Sequence, residues 1–224
     1  GGLDGFIAPN FYTNPGFNDP DYFRSTLKIG QGTVAWKLND KITLKSISAY
    51  SDTKSQLVVD QDGTPLSIIS VNRGNVGDRL FTQELQLSGR VLDNRLQFTL
   101  GGYYYNDKQT STGATNSIFG GPPGDPFGDY KILTRSYAFY GQATFNITDQ
   151  LAIVGGLRYT NEKIAATDAL NPTKGNSGFT DTSPLIGVNF QATRDILFYV
   201  KRSRGFRAGG FSPNAVGYFP FGPE

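Results

Sequence analysis

The side chains best able to do chemistry in this chain are cationic, acidic and aromatic, because the sequence contains no histidine and no cysteine. The common Ser-His-Asp and Cys-His nucleophile arrangements and the histidine-containing zinc sites are therefore excluded within these 224 residues. A disulfide framework is excluded for the same reason. The composition thus predicts a protein that is not an enzyme and that holds no metal or other cofactor.

Two short motifs suggest ligand-binding loops but lack the parts that such loops need. Gly30-Gln-Gly-Thr-Val-Ala35 matches a dinucleotide fingerprint, and Asp52 follows at a suitable distance. A turn and a strand-like run come next, however, where the fingerprint requires a helix. Asp60-Gln-Asp62-Gly63 hints at calcium, but Pro65 and Val71 occupy the positions where an EF-hand needs glycine and glutamate. We interpret the first motif as a strand kink and the second as a solvated loop.

A cationic run near the end of the chain could bind an anion. Lys201, Arg202 and Arg204 lie close together in sequence, and Arg207 follows. Guanidinium groups pair well with phosphate and carboxylate, so the run could contact an anionic ligand or the phosphates of lipopolysaccharide. The alternative is a strand that emerges into headgroups and solvent, with its cations paired to neighbouring acids. The formal net charge of +2 does not indicate nucleic acid as a partner.

Aromatic residues are frequent in the long Gly/Pro-rich stretches between strand-like runs. The segment from Phe119 to Tyr130 is typical, because proline and glycine block regular structure while its aromatic rings stay available for contact. These rings could form a recognition surface, or they could pack the loops against one another. The sequence therefore offers a candidate ligand-binding set made of Phe119, Phe127, Tyr130 and Arg207.

Four tight polar turns divide the chain into strand-like runs. Short connections at one end of the strands and long ones at the other are typical of an outer-membrane β-barrel. Hydrophobic content is 38% and mean hydropathy is −0.34, and no run approaches the roughly 18 apolar residues that a membrane helix needs. The turns are Leu38–Ile42, Leu92–Leu96, Ile147–Leu151 and Ala192–Ile196.

Apolar and polar residues alternate with a period of two along the runs beside these turns, which a helix cannot satisfy. The apolar set is predicted to face lipid, and it includes Phe81, Leu85, Leu87, Phe139, Phe145, Ile153 and Leu157. The opposite set is predicted to face a wet barrel interior, and it includes Glu84, Gln86, Gln142, Thr144 and Arg158.

The first and last hairpins are less regular. The apolar set changes phase between Ile29 and Val34, which predicts a β-bulge or a glycine kink at Gly30–Gly32. The last pair of strands is predicted at about 182–192 and 196–211.

Several strand sequences resemble the barrel domain of TonB-dependent outer-membrane receptors, over about residues 79–211. The relevant stretches are Phe81–Gly89, Gly101–Tyr105, Gly155–Thr160 and Ser203–Phe211. The last is the most specific, because Ser-x-Gly-Phe-x-x-Gly-Gly-Phe on an outgoing strand is characteristic of that family. The resemblance implies an all-β, antiparallel, up-and-down transmembrane barrel of 22 strands, preceded by a plug domain and a TonB box.

Neither plug nor TonB box is recognisable in this sequence, so residues 1–224 are expected to form a partial barrel domain of about eight strands in four hairpins. With the short turns periplasmic, both ends would be extracellular, which also predicts an internal piece of a longer wall. The competing expectation is a small, self-contained barrel with a structural or passive-pore role. A soluble lipocalin-like binder is disfavoured, because Glu84, Arg90 and Arg158 lie on the polar side of the alternation.

By resemblance, the expected function is active uptake of a scarce nutrient across the outer membrane of a Gram-negative bacterium. A ferric siderophore is the leading cargo, with cobalamin or an oligosaccharide as alternatives. The implied partners are outer-membrane lipid and lipopolysaccharide, a small-molecule ligand such as a metal chelate, and the energy-coupling TonB complex, reached through the N-terminal part that is not recognisable here.

Overall fold

Eight long strands form one antiparallel sheet, and a short two-stranded hairpin follows it. The computed structural model describes residues 22–60, 69–118, 129–168, 174–214 and 217–224. The strands of the sheet are β1 (Tyr22–Asn39), β2 (Ile42–Asp60), β3 (Ile69–Val91), β4 (Leu96–Ile118), β5 (Tyr130–Asn146), β6 (Leu151–Asp168), β7 (Lys174–Gln191) and β8 (Leu197–Ser203). The hairpin consists of β9 (Gly210–Asn214) and β10 (Gly217–Phe221).

Each strand of the sheet pairs with its neighbours in sequence, in the order β1 to β8. This confirms the predicted all-β, up-and-down architecture of four hairpins. Across the described residues β1 and β8 do not pair with each other, so the sheet is an open section of wall. Among those residues no helix is long and apolar enough to cross a membrane.

The four predicted tight turns are confirmed, and side chains hold several of them. Lys41 donates its backbone N–H to Asn39 Oδ1 at 2.8 Å in the first turn. Leu92, Asp93 and Asn94 have φ values of 55°, 52° and 67° in the second. Asp and Asn tolerate this left-handed region better than most residues, whereas Leu92 enters it against its preference. In the third turn Thr148 Oγ1 accepts the N–H of Leu151 at 3.0 Å.

The predicted bulge at Gly30–Gly32 is wrong. The pairing of β1 with β2 runs without a shift from Tyr22 opposite Val58 to Lys37 opposite Thr43, and the irregularity lies between Lys37 and Asn39. Because the register is continuous, the phase change in the sequence moves apolar residues from one face of β1 to the other.

The last strand is shorter than predicted, since β8 ends at Ser203 and not at residue 211. Beyond it, Arg204 donates its N–H to the carbonyl of Pro184 at 3.1 Å. An antiparallel pair of this type normally exchanges two N–H···O bonds, but proline has no N–H to return. The ladder therefore stops at this pair, and residues 204–209 leave the sheet without strand structure.

The two faces of the sheet differ in polarity. Of the predicted outward residues Phe139 is 67% exposed, Leu157 55% and Leu85 50%. Phe81, Phe145 and Ile153 are also exposed, while Leu87 is half-buried opposite Leu44 and Leu100. The buried side chains of the described residues are mostly polar, namely Asp107, Ser111, Ser136, Thr160 and Asp181, against Ala138, Ile164 and Ala166. A wall with apolar residues outward and polar residues inward is the opposite of a soluble core.

Candidate functional site

A cluster of polar side chains extends over four strands, β3 to β6, on the polar face. Residues directly opposite each other in an antiparallel sheet lie on the same face, and the register places Gln86, Gly101, Tyr140 and Arg158 in one row. Tyr140 donates its hydroxyl to Glu84 Oε1, and Gln86 Nε2 donates to the same oxygen at 3.0 Å. The predicted residues Glu84, Gln86 and Arg158 are thus brought together on one face.

Gly101 makes this arrangement possible. It lies between Gln86 and Tyr140 in the row, and a Cβ at this position would overlap the Tyr140 ring. The ring therefore reaches from β5 across the bare backbone of β4 to the carboxylate on β3. Sequence alternation alone does not reveal this contact, because it depends on the register that places a glycine beside a tyrosine.

Arg158 lies beside two tyrosine rings. Its guanidinium carbon is 5.8 Å from the ring centroid of Tyr103 and 5.9 Å from that of Tyr140, both within cation–π range. Its Nε donates to Thr160 Oγ1 at 3.2 Å. Among the described residues no carboxylate lies within ion-pair distance of Arg158. A cation flanked by aromatic rings can bind an anionic, partly aromatic molecule.

A cavity of about 560 Å³ lies between this cluster and the segment that follows β8. Its sheet side includes Tyr103, Arg158 and Glu162, and its other side includes Arg204 and Phe206. A second cavity, of about 620 Å³, lies nearer the short turns and contains the predicted residues Gln142 and Thr144 in its lining. Of the predicted interior residues, Arg158 thus lines the first cavity and Gln142 and Thr144 line the second, whereas Glu84 and Gln86 line neither.

An ion pair fastens the segment after β8 to β7. Arg204 Nη2 lies 2.8 Å from Asp181 Oδ1, and the Asp181 side chain is only 6% exposed. Ser183 donates its hydroxyl to the other oxygen of Asp181 at 2.5 Å. Downstream, Arg207 and Glu224 exchange two backbone hydrogen bonds of 3.0 Å each, which extend the hairpin of β9 and β10.

The predicted cationic run does not form one patch. Alternation places Lys201 opposite Gly187 on the polar face and Arg202 opposite Ile186 on the apolar face. Arg204 is paired with Asp181, as the alternative interpretation of the run expected, and the Arg207 side chain is exposed. The four cations therefore lie in different environments and do not form a single binding site.

The predicted aromatic set is only partly described. Phe119 and Phe127 lie outside the described residues, as does most of the calcium-like segment at 60–63. Tyr130 is half-buried at the start of β5, opposite Ser111 and Asp168. Neither Tyr130 nor Arg207 lines the 560 Å³ cavity. Within the described parts of the chain no three His, Cys, Asp or Glu side chains are placed to hold a metal ion.

Comparison with known protein families shows which family this chain belongs to. The family model described as TonB dependent receptor-like, beta-barrel, matches residues 2–224. The chain belongs to this family. A search of curated protein sequences found no match to this chain.

Solved structures share the fold of this TonB-dependent receptor barrel at low sequence identity. The ferric yersiniabactin uptake receptor FyuA from Yersinia pestis is 18% identical with a TM-score of 0.72, over 91% of this chain and 32% of that one. The ferric citrate transporter FecA is 15% identical with a TM-score of 0.71, over 86% and 28%. The ferric-catecholate import receptor Fiu from E. coli K12 is 15% identical with a TM-score of 0.63, over 90% and 40%. The chain thus spans about a third of the length of these proteins.

The hydrogen bond from Tyr140 to Glu84 gives a first prediction for the receptor barrel. Tyr140→Phe should destabilise it by about 1–3 kcal/mol, because a part-buried hydrogen bond to a charged group is lost. The matched control is Tyr137→Phe, since the Tyr137 side chain is 51% exposed on the apolar face. Denaturant midpoints measured on the full-length receptor test this. Equal midpoints for the two variants would contradict the assigned contact.

A carboxyl pair at the outer end of the polar face predicts a dependence on pH. Asp78 lies 14 residues before the turn at Leu92, beyond the roughly 9–11 residues that cross a membrane. Burial and the neighbouring Asp107 carboxyl raise the pKa of Asp78 from 3.8 to about 6. The folded state therefore binds this proton more tightly than the unfolded state, so stability should fall as the pH rises from about 4 to about 6.

Asp107→Asn should weaken this dependence, because it removes the like charge and lowers the pKa of Asp78 toward its ordinary value. Denaturant midpoints of the wild-type and variant receptors, compared between pH 4 and pH 7, measure the effect. If the denaturant midpoint of the variant changes with pH as steeply as that of the wild type, the two carboxyls do not interact.

Proposed function

We propose that this chain forms part of the barrel wall of a receptor in the outer membrane of a Gram-negative bacterium, and that the receptor takes up a ferric siderophore. Membership of the TonB-dependent receptor family supports the transport class. FyuA, FecA and Fiu are named for ferric yersiniabactin, ferric citrate and ferric catecholate, which favours an iron chelate over cobalamin or an oligosaccharide as cargo.

The apolar face is proposed to contact lipid and the polar face to line the barrel interior. The exposed Leu85, Phe139 and Leu157 suit hydrocarbon, since apolar residues on a lipid-facing barrel surface need no further burial. Glu84, Gln86, Gln142, Thr144 and Arg158 then face inward. The open cavities on that face support a wet interior that a plug domain and cargo can occupy.

The observation that carries the choice of cargo is Arg158 between Tyr103 and Tyr140 on that face. No carboxylate among the described residues lies within ion-pair distance of its guanidinium, so it can contact a chelate that carries negative charge. Phe119, Phe127, Tyr130 and Arg207 are proposed to make further contacts from the outer loops. Energy is proposed to come from the TonB complex, through a part of the receptor outside this section.

Uptake of radioactive ferric siderophores by cells that express the full-length receptor tests the proposal. A panel of ferric citrate, ferric catecholate and ferric hydroxamate should include at least one cargo whose uptake requires the receptor and an intact tonB gene. Cobalamin and a maltooligosaccharide serve as alternative cargoes. Uptake that continues without TonB would favour a passive pore. Uptake of cobalamin or the oligosaccharide alone would replace the siderophore as cargo.

A further inference from the structure

Three acidic side chains lie close together toward the outer end of the polar face. Alternation places Asp78 on β3, Asp107 on β4 and Glu162 on β6 on this face. The Tyr105 hydroxyl interacts electrostatically with all three carboxyls, and those of Asp78 and Asp107 also interact with each other. These three residues, here called the acidic group, therefore lie near one hydroxyl although they come from three different strands.

The acidic group lacks a cationic partner in the part of the chain that the structure describes. The two ion pairs found there use Asp52 and Asp181, and neither involves a member of the group. Asp107 is only 4% exposed, and its Oδ2 accepts a hydrogen bond from Gln109 at 2.9 Å, whereas its Oδ1 accepts none from the described residues. The pKa of Asp78 is about 6, so at neutral pH a shared proton does not supply the missing donor. A buried acceptor without a donor costs free energy, so the acidic group needs a donor from outside these strands.

Two members of the acidic group line the 560 Å³ cavity on the polar face. Asp107 and Glu162 belong to its lining, and so does Arg158. Arg158 and Glu162 are four residues apart on the same face of β6, which corresponds to about 13 Å along an extended strand. The cavity therefore presents a cation beside tyrosine rings at one end and two carboxylates toward the other.

The size of this cavity suits a small molecule. Ligand pockets typically enclose about 300–1,000 Å³, and this cavity of about 560 Å³ lies within that range. Arg204 also lines the cavity, but its guanidinium already pairs with Asp181 at 2.8 Å. A cargo that fills the cavity therefore meets charges of both signs. The complementary cargo carries a positive group about 13 Å from its negative part.

We propose that the receptor selects a ferric chelate that bears a primary amine, with Glu162 and Asp107 binding the ammonium group while Arg158 contacts the negatively charged chelate. An ammonium group has three N–H donors, so it can serve both carboxylates through charge-assisted hydrogen bonds and supply the donor that Asp107 Oδ1 lacks. Asp78 adds to the negative potential at this end of the cavity. This site rests on the proposed function, to which it adds the charge pattern of the cargo.

Dissociation constants of synthetic ferric chelates test this site. A ferric tris-catecholate and a ferric tris-hydroxamate are each prepared in three forms. The first form has a primary amine about 10–13 Å from the iron, the second has that amine acetylated, and the third has it succinylated. Fluorescence quenching of the full-length receptor in detergent gives the Kd of each form. At least one chelate should bind about ten-fold more tightly with the free amine than with the acetylated one, because acetylation removes a charge-assisted hydrogen bond.

Variants of the acidic group locate this preference. Glu162→Gln and Asp107→Asn should each remove most of it, while the Kd of the acetylated form stays at the wild-type value and shows that the cavity is intact. Glu162→Lys should reverse the preference, so that the succinylated form binds more tightly than the amine. The matched control is Asp149→Asn, an exposed carboxylate in a short turn, which should leave every Kd unchanged. Heat-modifiable migration reports folding of all four variants.

Three results would overturn the proposal. The first is an equal Kd for the amine and acetylated forms of both chelates, in which case the acidic group serves a cation of the receptor itself. The second is an amine preference that Glu162→Gln and Asp107→Asn leave unchanged. The third is failure of both chelates to bind in any form. TonB-dependent uptake is measured separately, so a receptor that transports a siderophore without distinguishing the amine from its acetylated form refutes this site alone.

Discussion

Arginine in place of Leu100 should destabilise the folded barrel by about 2–4 kcal/mol, whereas arginine in place of Thr99 should cost far less. Leu100 is 50% exposed on the apolar face, opposite Leu87 and Gly141, four residues into β4. At that depth a guanidinium on the outer face would lie near the middle of the hydrocarbon. A charge there is penalised because lipid offers it neither water nor hydrogen-bond partners.

Thr99 is the matched control because it is the adjacent residue on the opposite face. It lies between Ser88 and Gln142 and lines the 620 Å³ cavity, so an arginine there can extend into open polar space. Free energies of unfolding of the full-length receptor, from urea titrations in phospholipid vesicles, measure both costs. A larger penalty at Thr99 than at Leu100 would mean that the two faces are assigned the wrong way round.

The fold is predictable from the sequence because each strand lies in two environments at once. In an outer-membrane barrel every second residue faces lipid, which accounts for the period of two over β3 to β6, and the tight polar turns mark where the chain reverses direction. The same alternation assigns Glu84 and Arg158 to one face. It says nothing about how far one strand is shifted relative to the next, and contacts between strands depend on that shift.

The contacts missed by sequence reasoning all depend on register. Tyr140 reaches Glu84 because Gly101 on β4 places no side chain between them. Likewise, the pairing of β3 with β4 places Arg79 opposite Lys108, and the pairing of β5 with β6 places Arg135 opposite Lys163. Pro184 is visible in the sequence as a residue without an N–H, but its effect on β8 depends on Arg204 being its partner. Sequence alternation predicts the face on which a side chain lies, whereas its neighbours on the next strand follow only from the strand pairing.

Replacing residues 119–129 with a Gly/Ser linker of the same length should reduce cargo uptake by the full-length receptor to background. The segment joins β4, which ends at Ile118, to β5, which begins at Tyr130. Loops can carry recognition on a rigid wall because they vary without disturbing its hydrogen bonds. Phe119 and Phe127 are proposed to supply apolar contact to the cargo, and a Gly/Ser linker supplies none.

Equal length matters in this exchange, because β4 extends beyond β5. Ser111 is the last residue of β4 opposite β5, and the following residues up to Ile118 pair with β3. A shorter connection would pull those residues away from β3. A loss of uptake would then no longer distinguish lost recognition of the cargo from faulty assembly of the barrel. The control is the same replacement at 169–173, between β6 and β7, with heat-modifiable migration to report folding of both variants. If uptake survives the exchange at 119–129, the aromatic residues of this loop pack against their neighbours, and recognition must lie with Arg158 and the tyrosines on the polar face.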